Sequence, residues 1–133
     1  MQKELRKYWD KTTCNYSCSE TMVYAANEFY NLGLDERSFK MMAGFSGGMF
    51  EGGTCGVITG GIAVLGLLFV KSCKADSPEL KDAVIEFKTR FNAELKSTDC
   101  TPLKEMHEDE TGCGNLIYKG GKILEEVIAK YQK

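Results

Sequence analysis

Gly56-Val57-Ile58-Thr59-Gly60-Gly61-Ile62-Ala63-Val64-Leu65-Gly66-Leu67-Leu68-Phe69-Val70 is a run of 15 uncharged residues closed by Lys71, and how it folds decides the architecture. A helix needs about 20 apolar residues to cross a bilayer; this run is shorter and carries four glycines. It reads as a buried helix from Cys55 to about Lys71, with Thr54 as its N-cap, and no membrane insertion is expected. A helix apolar on every side must be covered by other elements. In a small protein a second copy can supply part of that cover, so a homodimer is a natural expectation.

The flanking segments supply the covering helices. Glu4 to Asp10 alternates charge with Leu5, Tyr8 and Trp9, as a short amphipathic helix does. A second helix begins near Asn15 or Ser17 and runs to Asn31, with Met22, Ala25, Ala26, Phe29 and Tyr30 at helical spacing and Gly33 as its stop. Asp35 caps a short helix through Met41, Met42 and Phe45. Gly44 to Gly53 holds five glycines in ten residues and reads as a shaped loop that permits close backbone approach. Downstream, Ser77 and Pro78 mark the start of a helix with Ala83, Val84, Phe87, Phe91 and Leu95 on one face. A connector with Cys100, Pro102 and Leu103 leads to a last helix from about Cys113 to Tyr131, its inward face Leu116, Ile117, Ile123, Leu124, Val127 and Ile128. Gly120 and Gly121 weaken its middle, each by about 1 kcal/mol against Ala. No alternating β-branched run suggests a sheet. Residues 1–133 read as one all-α domain, a helical bundle around a buried glycine-rich central helix.

Seventeen basic and 19 acidic residues are interspersed, giving a net charge of −2. No basic block exists to follow a phosphate backbone, so no nucleic-acid partner is expected. The single histidine, His107, excludes a multi-histidine metal site within one chain. It lies in the acidic run Glu105 to Glu110, which reads as a solvated face able to dock a basic electron-transfer partner.

Six cysteines stand at 14, 18, 55, 73, 100 and 113. A chain of this length builds a sufficient core without cross-links. Residues 1–13 are charged and lack the apolar segment of an export signal. A reducing, cytoplasmic setting is therefore expected, where thiols serve metal binding or redox chemistry. No CxxC is present. Cys55 lies between glycines at the start of the central helix. There the helix dipole favours thiolate, so a pKa below the ordinary value of about 8.5 is expected. From the residues alone, packing of Cys55 as a small hydrophobe is the competing explanation. Met41, Met42 and Met49 read as core filling, Tyr16 as a packing neighbour of Cys18, and Trp9 as an anchor for the first helix.

Three segments carry a family resemblance: Tyr16-Ser17-Cys18-Ser19-Glu20, Phe45-Ser46-Gly47-Gly48-Met49-Phe50-Glu51-Gly52-Gly53, and Cys55-Gly56-Val57-Ile58-Thr59-Gly60. From about Tyr16 to about Ile128 the chain resembles the redox-active proteins called the C_GCAxxG_C_C family. The resemblance implies four functional cysteines: Cys18, Cys55, Cys100 and Cys113. Val57 stands at the motif's alanine position, and Cys14 and Cys73 are additional. A related region of split-Soret cytochrome c is associated with an iron–sulfur centre, which makes such a cluster an expected cofactor. Haem is not expected, since CxxCH is absent.

Three functions follow. Four thiolates suffice for an iron–sulfur cluster that transfers electrons to a redox partner protein or small-molecule carrier. Alternatively, thiol–disulfide exchange without metal would pair Cys18 with Cys55 or Cys100 with Cys113. A structural zinc held by the four cysteines is the third.

Overall fold

The computed structural model describes residues 1–132. Seven α-helices and no strand occur among them: α1 (Gln2–Tyr8), α2 (Cys18–Tyr30), α3 (Glu36–Lys40), α4 (Gly56–Phe69), α5 (Pro78–Leu95), α6 (Cys100–His107) and α7 (Gly114–Tyr131). The all-α expectation holds. No helix among the described residues is long and apolar enough to cross a membrane.

Local chemistry explains most boundaries. Ser17 caps α2 through a reciprocal pair, accepting from the Glu20 N–H while the Glu20 carboxylate accepts from the Ser17 N–H. This satisfies two otherwise orphaned donors. Helix α2 ends at Asn31, which takes the left-handed conformation at φ 55°, two residues before the expected stop at Gly33. Asparagine tolerates that region as glycine does. Asp35 caps α3 by accepting from the Arg37 and Ser38 N–H groups, and Pro78 opens α5. Helix α1 starts earlier than its alternating pattern indicates, because Met1 is buried and its ammonium pairs with Glu125 at 2.7 Å. The expected connector around Cys100 is instead helix α6; Pro102 sits in its first turn, where a missing N–H costs nothing.

Helix α4 forms the centre, with α2 on one side and α5 and α7 on the other. Ile58, Leu65, Phe87, Phe91, Leu116 and Leu124 are among the largest fully buried side chains. Glycines set the helix spacing. A Cβ on Gly60 would lie 2.8 Å from the Ser19 oxygen and 2.9 Å from the Met22 Cβ, and one on Gly61 would meet the Phe87 ring at 2.5 Å. Gly120, read in the sequence as a weak point, receives Val57 and Phe91 against its bare backbone, and Gly121 receives Leu5. Their helix-propensity cost is exchanged for close packing. The cover over α4 is incomplete: Ala63 and Leu67 are exposed, beside an apolar groove of about 180 Å³ that Leu32, Leu34 and Met41 also line. Met41 and Met49, expected in the core, are exposed at 72% and 46%; only Met42 of the three is buried.

Gly60→Ala should lower unfolding free energy by about 1–3 kcal/mol, the usual cost of overpacking a fitted interface. A methyl group added at Gly66 would have no neighbour within 4 Å, so Gly66→Ala should stabilise by roughly 0.5–1 kcal/mol. Urea titration of both variants checks the contrast, and equal effects would contradict the packing role of Gly60.

Candidate functional site

Four separate helix N-termini each carry one cysteine. Cys18 is the first residue of α2, Cys55 the N-cap of α4, Cys100 the first residue of α6, and Cys113 the N-cap of α7. All four line one cavity of about 320 Å³, and all are free thiols. Cys73 is exposed beyond the opposite end of α4, and Cys14 is half-buried with its sulfur 3.7 Å from the Lys7 carbonyl. Neither lines the cavity.

The motif glycines produce this convergence. Gly56 lies directly against α2, where an added Cβ would stand 3.0 Å from the Ser19 nitrogen and 3.2 Å from the Cys18 Cβ. With Gly60 one turn on, it brings the starts of α2 and α4 side by side. The glycine loop places the third cysteine. Gly47, Gly48, Met49 and Phe50 run in left-handed conformation, with φ of 59°, 64°, 61° and 65°. A Cβ on Gly48 would lie 2.8 Å from the Cys100 Cβ, and one on Gly52 would collide with Thr101. The Cys100 N–H donates to the Gly53 oxygen at 2.6 Å, and the Cys55 N–H to the Thr98 oxygen at 2.8 Å. Cys113 follows a tight turn in which the Asp109 carboxylate accepts from Thr111 and Asn115.

The thiols differ in their hold on the proton. Burial pushes Cys55 up to about 11, overcoming the Val57 and Ile58 N–H groups that favour its thiolate. The expected low pKa at this position is thus overturned, because desolvation outweighs the helix terminus. Cys18 and Cys113 influence each other's proton more strongly than any other neighbour does. Cys18 is raised well above the usual thiol range by Cys113, then by burial and by the other thiols. Cys113 is lowered by Cys18 to about 7, helped by Lys104 and Lys11 against the effect of burial. Cys100 is raised, chiefly by burial.

Several residues at the site carried no signal that marked them as functional. Trp9 and Lys11 wall the cavity from the N-terminal segment, and Lys104 on α6 and Glu108 just past its end, paired at 3.6 Å, also line it. The signal for Lys104 and Glu108 is a helix starting at Cys100, which puts both on the turns following the thiol. His107, expected to be solvated, is half-buried and hydrogen-bonded through Nε2 to the Leu95 carbonyl at 2.9 Å, joining α6 to the end of α5. Among the described residues, no group of three or more His, Cys, Asp or Glu side chains stands ready to hold a metal ion.

A family model described as "Putative redox-active protein (C_GCAxxG_C_C)" matches residues 16–127. No curated protein and no solved structure matches the chain.

In the metal-free, reduced protein, alkylation of Cys113 should rise with pH to half its maximum near 7, while Cys55 should stay unmodified until well above pH 9. Thiolate is the reacting form, so each rate follows the deprotonated fraction. Cys18→Ala removes the thiol that lowers Cys113 and should move the Cys113 midpoint upward. Iodoacetamide labelling with peptide mapping measures both, and a Cys113 midpoint unmoved in Cys18→Ala would disprove that influence.

Proposed function

The chain belongs to the C_GCAxxG_C_C family, whose description is "Putative redox-active protein", and within that family we propose that Cys18, Cys55, Cys100 and Cys113 hold an iron–sulfur cluster that exchanges electrons with a partner protein or small-molecule carrier. The observation that carries this is one cavity lined by four cysteines, each at a helix N-terminus. Each N-terminus acts as about half a positive charge, roughly two in all. Four thiolates around an iron–sulfur core form a net anion, which that arrangement complements. The donor set is also suitable: four sulfurs, with Glu108 the one carboxylate and no imidazole among the cavity-lining residues.

Bound there, the cluster would supply one-electron exchange. The protein's own part is to orient the four sulfurs, to keep water from the buried Cys55, and to bias the potential through the N-termini and Lys11 and Lys104. A structural zinc held by the same four sulfurs is the alternative without redox chemistry; for either metal the described side chains, which form no ready ligand group, would have to close around it.

The lowered pKa of Cys113 beside Cys18 favours a second reading. The Cys113 thiolate would attack a substrate disulfide and release one thiolate. Cys18 would then attack the mixed disulfide, its proton passing to the second leaving sulfur, and the two cysteines would end oxidised as substrate is reduced.

Iron and acid-labile sulfide analysis of protein prepared without air separates the cases. The cluster predicts iron and sulfide in comparable amounts, lost in most part from Cys55→Ser and retained in Cys73→Ser. Absence of both after anaerobic reconstitution, with a Cys18–Cys113 disulfide forming on oxidation, would replace it with thiol exchange. Bound zinc without sulfide would restore the structural-metal alternative.

A further inference from the structure

Residues 1–15 lie outside the family-matched region, yet they form part of the cavity wall. Trp9 Nε1 donates to the Thr111 carbonyl at 2.8 Å, two residues before Cys113. Lys11 Nζ sits 3.7 Å above the Trp9 ring and donates to the Tyr16 carbonyl, two residues before Cys18. One stacked pair therefore ties together the two segments that deliver Cys18 and Cys113. A cation held over an indole face is also attracted by the ring's quadrupole, which fixes the ammonium at the mouth.

Charge at that mouth is unbalanced. The charged residues lining the cavity are Lys11, Lys104 and Glu108. Glu108 pairs with Lys104 at 3.6 Å, and no carboxylate is ion-paired with Lys11 among the described residues. The helix N-termini behind them add positive potential of the same sign. On the other side of Trp9, a second groove of about 450 Å³ contains Arg6 and Lys11 together with Asp10 and Glu110, so its charges balance. Lys11 lines both grooves, and on the thiol side the only carboxylate standing with it is Glu108, already paired with Lys104.

We propose that residues 1–15 cap the thiol cavity and that Lys11, held against Trp9, makes the site selective for negatively charged small-molecule reagents over neutral ones. The inference rests on this cavity being the redox site and identifies the chemical class of carrier or oxidant that enters it. A positive field at a cleft raises the local concentration of an anion and its rate of encounter, and added salt weakens the effect.

The test uses two disulfide reagents that release coloured arylthiolates when a thiolate attacks them: the dianion 5,5′-dithiobis(2-nitrobenzoate) and neutral 4,4′-dithiodipyridine. Cys14→Ser/Cys73→Ser protein confines the reaction to the cavity thiols. Lys11→Gln should slow the dianion about three- to ten-fold and change the neutral reagent less than about two-fold. Lys11→Arg should keep the original ratio. Raising salt should slow the dianion in the parent and have little effect in Lys11→Gln. Trp9 is the sole tryptophan, so its fluorescence reports whether the cap stays seated. A ratio unchanged in Lys11→Gln, or both reagents altered alike, would overturn the proposal, including where fluorescence shows the cap displaced. The assay is run on metal-free, reduced protein, so its outcome does not depend on whether the loaded protein holds a cluster.

Discussion

The contact between the bare backbone of α4 at Gly56 and Gly60 and the first turns of α2 is the constraint on which the rest depends. A methyl group at either position would approach Ser19 or Met22 to 3.0 Å or less. Only glycine lets the two helices start side by side, and only that alignment puts Cys18 next to Cys55. The same helix uses Gly61 to accept Phe87 and, through Val57, fits against Gly120 of α7. The core and the site are thus built by one seam, which links the motif's glycines to its cysteine mechanically. Gly56 and Gly60 act by allowing the thiols to meet.

Opposing electrostatic effects meet in the cavity. Helix N-termini favour thiolate, whereas burial and the mutual repulsion of four sulfurs favour thiol. Burial prevails at Cys55. At Cys113 the influence of Cys18 and the nearby lysines prevails. With no metal bound, Cys18, Cys55 and Cys100 are held as thiols, and Cys113 gives up its proton most readily. A cationic metal–sulfide core would release those protons and allow all four termini to act in the same direction. The left-handed run through Met49 and Phe50 is consistent with a site whose geometry is held against local preference. Neither residue favours positive φ, at a cost of order 1 kcal/mol each or more. Their backbone is kept there by the fit of Gly48 and Gly52 to Cys100 and Thr101.

The helical fold was largely legible because its signals are local. Apolar spacing in Met22–Tyr30 and Ala83–Leu95, the Ser77–Pro78 start and the Asp35 cap each act within a few residues. The four cysteines were legible through family resemblance, since nothing in their spacing brings residue 18 to residue 113. What escaped detection depends on distant neighbours. Helix α6 was hidden by Pro102, which usually ends helices but is harmless in a first turn. The high pKa of Cys55 follows from burial, which sequence does not display. Trp9 and Lys11 gave no hint of a site role, because their importance arises from contacts with Thr111 and Tyr16 across the fold.

Native mass spectrometry of the protein, isolated and sprayed without exposure to air, tests most directly the claim that these four thiols together hold one group. The account predicts a single species heavier than the bare chain by one iron–sulfur cluster, reverting to the bare mass when Cys18, Cys55, Cys100 or Cys113 is replaced by alanine. A bare chain with all thiols reduced, or one lighter by the two hydrogens of a disulfide, would contradict it.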